Sequence, residues 1–279
     1  LAKLDNMQEI PRPLRFQRAH LYIRAGEPKK AIKIYEGELK QASNKNRLRM
    51  TLARLYLQIE KPDKALKLAQ ACKEDSPHKH FVMSRIYRLQ EHYTRALDAV
   101  QKAEALSEAK DEEDEGKDDF SDASFYMYYA TLAEKAGEID LAVEKAREAR
   151  EKAPEDPQTA NFLGYVLANH NRNLDKASRL IEEAVSAKPE SAAYQDSRAW
   201  VAYRKKRYQV ALESILTALR LTKGREDGVI LHHAGDICLA KGLKILAECY
   251  LWKALREDPE EPEKIRTKLK EIEAGKAVN

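Results

Sequence analysis

No apolar run in this sequence approaches the roughly 18 residues that a membrane-spanning helix needs, so a transmembrane segment is excluded. Cysteine is scarce: Cys72, Cys238 and Cys249 are odd in number, far apart and without a C-x-x-C pair. That spacing supports neither a disulfide framework nor a thiolate zinc site, and all three are expected to be small buried residues. Glycine and proline number ten each in 279 residues, and strand-like alternation is largely missing, which argues against a chain built of sheets and their turns. Also absent are a G-x-S-x-G elbow, a phosphate-binding glycine loop and an H-E-x-x-H helix, and no pair of carboxylates sits in a visibly apolar setting. Catalysis is therefore not expected, and no cofactor is implied.

What is abundant is helix-forming. Ala, Leu, Glu, Lys and Arg dominate, and charged residues reach 34% of the chain, a composition suited to many short helices. The length would allow two ordinary domains or one elongated array. Self-similarity favours the array. An Ala in an A-x-x-x-[apolar]-x-x-[small] setting recurs at Ala31, Ala65, Ala96, Ala142, Ala177, Ala211 and Ala247, with spacings of 34, 31, 46, 35, 34 and 36. Twelve positions before these alanines stand Ala19, Ala53, Ser84, Ala130, Ala199 and Gly235, and Gly164 precedes Ala177 by thirteen. Two helices approach closely only where side chains are small, so each such pair marks the crossing of a first helix (A) with a second (B). The stretch LGYVLANHNRNLDKASRLIEEAVSAKP, Leu163 to Pro189, is the clearest copy, and Pro77, Pro154, Pro189 and Pro259 read as stops after helix B.

A period near 34 with this small-residue pattern resembles the tetratricopeptide repeat family over about residues 12–260, as seven units. Sel1-like repeats, another α-solenoid, run longer and richer in glycine. The resemblance implies an all-α, right-handed superhelix of about seven helical hairpins with a C-terminal capping helix. The expected organisation is a remnant of a preceding helix or linker at 1–11, units one to three at 12–107, and an acidic loop at 108–122. Units four to seven then follow at 123–260, with a capping helix and tail at 261–279. The chain starts at Leu1 without a charged-then-apolar leader, so the native N-terminus is expected to lie upstream.

Charge is uneven. Glu108 to Asp119 (EAKDEEDEGKDD) holds eight acids against two lysines, which reads as a solvated excursion between units three and four, with a regulatory or partner contact as the alternative. Residues 11–107 hold 21 Lys and Arg against 10 Asp and Glu. Such a basic surface could follow a nucleic-acid backbone, but no recognition motif accompanies it, so nucleic acid is not the expected partner.

The resemblance also implies where a partner would lie, because positions 2, 5, 9 and 12 of each A helix usually line the concave groove of this family. Carried over to units two and three, that register gives Arg47, Met50, Arg54, Leu57, His78, Phe81, Arg85 and Arg88. Fixed positive charge mixed with apolar surface suits a carboxylate-bearing peptide. In units five to seven it gives Asn161, Tyr165, Asp196, Trp200, Tyr203, His232 and Asp236, with Arg204 one position further on. Trp, Tyr and Arg are the residues most enriched at binding hot spots, so Trp200, Tyr203 and Arg204 form the leading cluster, with packing of Trp200 or Tyr203 between repeats as its alternative. The Lys–Asn pair of the chaperone-tail carboxylate clamp is replaced by Phe16 with His20, Met50 with Arg54, and Phe81 with Arg85, so that specificity is not implied. His232 and Asp236 share a helix face but make only two ligands, and His233 is expected to point elsewhere, so a metal site is not expected.

The phrases NFLGYVLA, DSRAWVAYR, HHAGDICLAKG and WKAL, between Asn161 and Leu255, are similar to those of bacterial envelope tetratricopeptide lipoproteins, with Arg198 and Ala199 in place of the family's Leu-Gly. Some of those relatives are adaptors, one class tethering a carboxyl-terminal processing protease. The resemblance thus implies a scaffold or adaptor for a peptide or protein, in the bacterial envelope or periplasm ahead of the cytoplasm. An accessory protein on nucleic acid and a self-associating structural protein are the competing readings.

Overall fold

The computed structural model describes residues 11–43, 45–109, 120, 122–225, 227–257, 259 and 262–274. Fifteen α-helices and no strand occur among them. The chain forms two compact units, Leu1–Glu138 and Ile139–Asn279. The first holds α1 (Arg12–Arg24), α2 (Pro28–Gln41), α3 (Asn46–Gln58), α4 (Pro62–Gln70), α5 (Pro77–Leu89), α6 (Tyr93–Glu108) and α7 (Ala123–Ala136). The second holds α8 (Ile139–Lys152), α9 (Pro157–Asn169), α10 (Leu174–Ala187), α11 (Ala192–Arg204), α12 (Tyr208–Leu221), α13 (Gly228–Ala240), α14 (Lys244–Arg256) and α15 (Pro262–Glu273).

The helices start where the sequence supplies a cap or a proline. Asp122, Asp156, Ser191 and Asp227 each accept a backbone N–H of the first turn, satisfying donors that have no partner within the helix. Pro28, Pro62, Pro77 and Pro157 occupy the first helical turn, where a missing N–H costs nothing. Pro154 and Pro189 do follow helices, but Pro77 opens α5, with Ser76 as its cap, and does not end α4. The six residues after Gln70 already separate it from that helix.

One turn recurs seven times. Gly26, Glu60, Glu91, Gly137, Asn171, Lys206 and Gly242 each adopt a positive φ where an A helix ends. The next residue's N–H reaches back five residues each time, as from Glu27 to Tyr22, Lys61 to Tyr56, and Leu243 to Cys238, at 2.8–2.9 Å. This left-handed closure satisfies the last carbonyls of the A helix and turns the chain toward B. Only three of the seven positions are glycine, so glycine does not mark the turn in the sequence.

Every small residue of the repeat pattern is buried, and the Ala members are fully so. At the two glycines the helices leave no room for a side chain: a Cβ on Gly164 would lie 2.7 Å from Ile181 Cγ1 and 3.1 Å from the Ala177 carbonyl oxygen, and one on Gly235 would lie 2.5 Å from Leu251 Cδ2. In the first unit Leu52, Ala53, Ala65, Val82 and Ile86 belong to one apolar core. In the second, α15 lays Ile265, Leu269 and Ile272 against Leu231 and Leu251, covering an apolar face that a terminal repeat would otherwise leave open. Cys72 and Cys238 are buried as expected, whereas Cys249 is exposed on α14. Burial pushes the Cys238 thiol up.

Candidate functional site

Three A helices and the last helix converge side chains in the second unit. From α11 come Asp196, Trp200, Tyr203 and Arg204, spaced so that all four share one side of the helix. His232, His233 and Asp236 come from α13, Asn161 and Tyr165 from α9, and Lys268 from α15.

At the centre, His233 Nδ1 lies 2.9 and 3.0 Å from the two oxygens of Asp196, and both residues are 5% exposed. A carboxylate only accepts, so Nδ1 carries the proton and the imidazole is held in one orientation. The ring stacks on Trp200 at 4.1 Å, and Trp200 stacks in turn on Tyr203 at 5.1 Å. The Arg204 guanidinium carbon stands 5.8 Å over the indole, and Tyr165 lies 6.2 Å from His233. Arg and Trp planes in this arrangement attract through the ring quadrupole.

The acids are all engaged. Lys268 Nζ donates to Asp236 Oδ1 at 2.5 Å and lies 3.3 Å from His232 Nε2. Burial raises the Tyr203 phenol, with Asp236 and Tyr208 adding to the effect and Arg204 opposing it. Among the described residues of this unit, two buried polar atoms have no hydrogen-bond partner: the Trp200 indole Nε1 and Asn161 Oδ1. An unmade hydrogen bond on a buried group costs about 1–3 kcal/mol, so these are the positions where an added donor or acceptor would gain most.

The geometry gives the expected residues different roles. Asp196, Trp200 and Asp236 are buried, Tyr203 and Arg204 half-buried, so the two aspartates orient their neighbours while Arg204 and Tyr203 reach the surface. His233, expected to point away, sits at the centre. Linear spacing does not link it to Asp196, 37 residues earlier. The signal available was that a carboxylate on a buried helix face needs a donor from an adjacent helix. Lys268, outside the repeats, was equally silent.

In the first unit, Arg47, Arg54, Arg85 and Arg88 are exposed. The Arg88 guanidinium lies 5.9 Å over Tyr128, whose phenol is raised by burial and lowered by the Ser84 hydrogen bond and the charges of Arg88 and Arg85. Phe81 packs edge-on to Tyr128 at 5.4 Å and beside Phe120 at 5.1 Å. Met50 and Leu57, expected to face the groove, turn inward: Met50 belongs to the core and Leu57 packs against it. Of the acidic run expected from Glu108 to Asp119, Glu108 ends α6 and Ala109 follows it, while 110–119 lie outside the described residues.

Repeated hairpins with small residues at each crossing, and polar and aromatic side chains gathered on the A helices, define an α-helical repeat protein. The chain belongs to the tetratricopeptide repeat family, whose profile matches residues 16–79, 129–177 and 163–226, more than half its length. Such repeats generally mediate protein–protein interactions. A tetratricopeptide repeat protein from Parabacteroides merdae superposes with a TM-score of 0.74 at 14% identity, over 94% of this chain and 98% of that one. YrrB, described as having an unusual peptide-binding site, gives 0.54 at 17% identity over 71% and 96%. The Cut9–Hcn1 hetero-tetramer of the APC/C gives 0.63 at 18% identity over 91% of this chain and 48% of its counterpart. At these identities the likeness is one of fold. No curated protein matches the sequence.

Proposed function

We propose that the chain is a protein-binding adaptor whose A-helix face between α9 and α13 receives an extended segment of a partner. The observation that carries this reading is two orphaned buried atoms, one on α11 and one on α9: among the described residues the Trp200 indole N–H lacks an acceptor and Asn161 Oδ1 lacks a donor. A partner's main chain offers both groups. The Asp196–His233 pair and the Trp200–Tyr203 stack are already set before binding, which lowers the ordering cost of association. Arg204 adds charge selection beside the indole. The exposed Arg47, Arg54, Arg85 and Arg88 support a second reading, contact with a carboxylate-bearing segment on the first unit. The resemblance to envelope lipoproteins makes an envelope complex, such as one containing a protease, the proposed setting.

The test is affinity capture from the native source with three baits: wild type, Trp200→Phe and Asn161→Ala with Arg204→Ala. Trp200→Phe keeps an aromatic ring in the stack but removes the N–H, and circular dichroism checks that each bait is folded. A protein retained by wild type and lost from both variants supports the reading. Equal retention by all three overturns it, salt-sensitive retention of nucleic acid would favour the accessory reading, and a doubled mass without added partner would favour self-assembly.

A further inference from the structure

The A helices of the first unit differ from its B helices in charge. Neither α1, α3 nor α5 contains an Asp or Glu, and between residues 11 and 107 every acid lies on a B helix or in a connection. On α1, Arg12 and Arg15 are matched by Glu38, reaching across from α2. Nothing of the kind meets α3 and α5. Among the described residues Arg47, Arg54, Arg85 and Arg88, all exposed, make no ion pair, although Glu60 and Glu91 stand in the turns that follow these helices. Asp75, in the connection before α5, is taken up by His80 and Lys102. Glu134, near the end of α7, is the first acid on an A helix and bounds the positive face on that side.

Arg54 and Arg85 both stand at the ninth residue of their helices, and α3 packs directly against α5. Packed helix axes lie about 8–10 Å apart, so the two residues present positive charge at about that interval. Arg88 joins Arg85 one turn further on, its guanidinium held 5.9 Å over the Tyr128 ring. The interval selects the ligand. In an extended polyproline II chain, side chains three residues apart lie on one side at a separation of about 9 Å, and carboxylates match the guanidinium fork. A nucleic-acid strand fits less well, since among the described residues of this unit no Phe or Tyr ring is exposed to stack a base. We propose that α3 and α5 bind an extended acidic segment of a partner protein with two carboxylates three residues apart, one on Arg54 and the other on Arg85 and Arg88. This rests on the second reading given above and supplies its register.

The test titrates the full chain, at low salt, into three labelled proline-rich peptides read by fluorescence anisotropy. One carries two glutamates three residues apart, one the same two adjacent, and one glutamines in their place. The spaced peptide should bind roughly three- to fivefold more tightly than the adjacent one, the worth of one added exposed ion pair. Arg54→Gln should abolish that preference, and Arg85→Gln with Arg88→Gln should weaken both acidic peptides. All three arginines are exposed, so the variants should keep the wild-type circular dichroism. Equal affinity for the spaced and adjacent peptides, or a preference that survives Arg54→Gln, would overturn the register while the second reading stands. Equal affinity for all three peptides would overturn both. Tighter Arg54-dependent binding of an oligothymidylate of equal charge, or an Arg54-dependent dimer in ultracentrifugation, would give the face another occupant and overturn the proposal as well.

Discussion

The Asp196–His233 pair illustrates how one buried contact orders several surface groups. With the carboxylate removed, the imidazole N–H would remain buried without an acceptor, and the stack of Trp200 and Tyr203 would lose its fixed base. Asp196→Ala is therefore expected to cost about 1–3 kcal/mol, and Asp196→Asn less, because an amide oxygen still accepts; urea unfolding of the two variants checks the order. A second residue-scale contact has a pH signature. Tyr56 donates to Glu36 at 2.5 Å, and burial, then that hydrogen bond and the nearby carboxylate charge, push its phenol from 10.0 up to about 12. The folded chain holds this proton more tightly than the unfolded one, so the contribution is complete below pH 10 and is lost as pH rises through about 12. The stability difference between wild type and Tyr56→Phe should be flat below that window and fall within it. At this scale the sequence disclosed the residue types of the site but not their pairing. Groove register points to Asp196 and Trp200, yet their burial and their bond to His233 depend on how neighbouring helices meet.

Among elements, the repeat alanines were legible because close crossing imposes small side chains at a fixed interval. The turns were less legible: Glu60, Glu91, Asn171 and Lys206 adopt the left-handed conformation without glycine, and the seven backbone closures that tie A to B leave no residue signature. The inward turn of Met50 was also hidden, since helix rotation by one position exchanges groove for core. The crossing logic gives a paired prediction. In a helix interior Ala is favoured over Gly by about 1 kcal/mol, and at Gly37, where an added Cβ meets nothing within 4 Å, Gly37→Ala should stabilise by roughly that amount. At Gly235 the same change drives a methyl against Leu251, which is fully buried and has no room to withdraw. Overpacking of this kind costs about 1–3 kcal/mol, so Gly235→Ala should lower the melting temperature while Gly37→Ala raises it. Equal shifts for both would mean that propensity, not the crossing, governs these helices.

For the molecule as a whole, what the sequence made plain was the linear plan, since each repeat restates the last. The strong helix contacts within each unit join only helices adjacent or next but one in the chain. Stability in such an array is approximately a sum of repeat terms and nearest-neighbour interfaces, and the ends are held by devices the repeat does not contain. At the start, Glu38 is buried while it accepts from both Arg12 and Arg15, at 2.8 and 2.6 Å. At the end, α15 supplies Lys268 to Asp236 and three apolar residues to the outer face of α13 and α14. Damage should therefore stay local. Gly235→Ala, which strains the crossing of α13 with α14, should speed native-state hydrogen exchange in α13, α14 and α15, with a smaller effect in α11 and α12 and none in α1 to α6. Mass spectrometry of exchanged peptides resolves these segments. A uniform loss of protection along the chain would instead mean that all the repeats unfold as one cooperative unit, and the nearest-neighbour account would have to be abandoned.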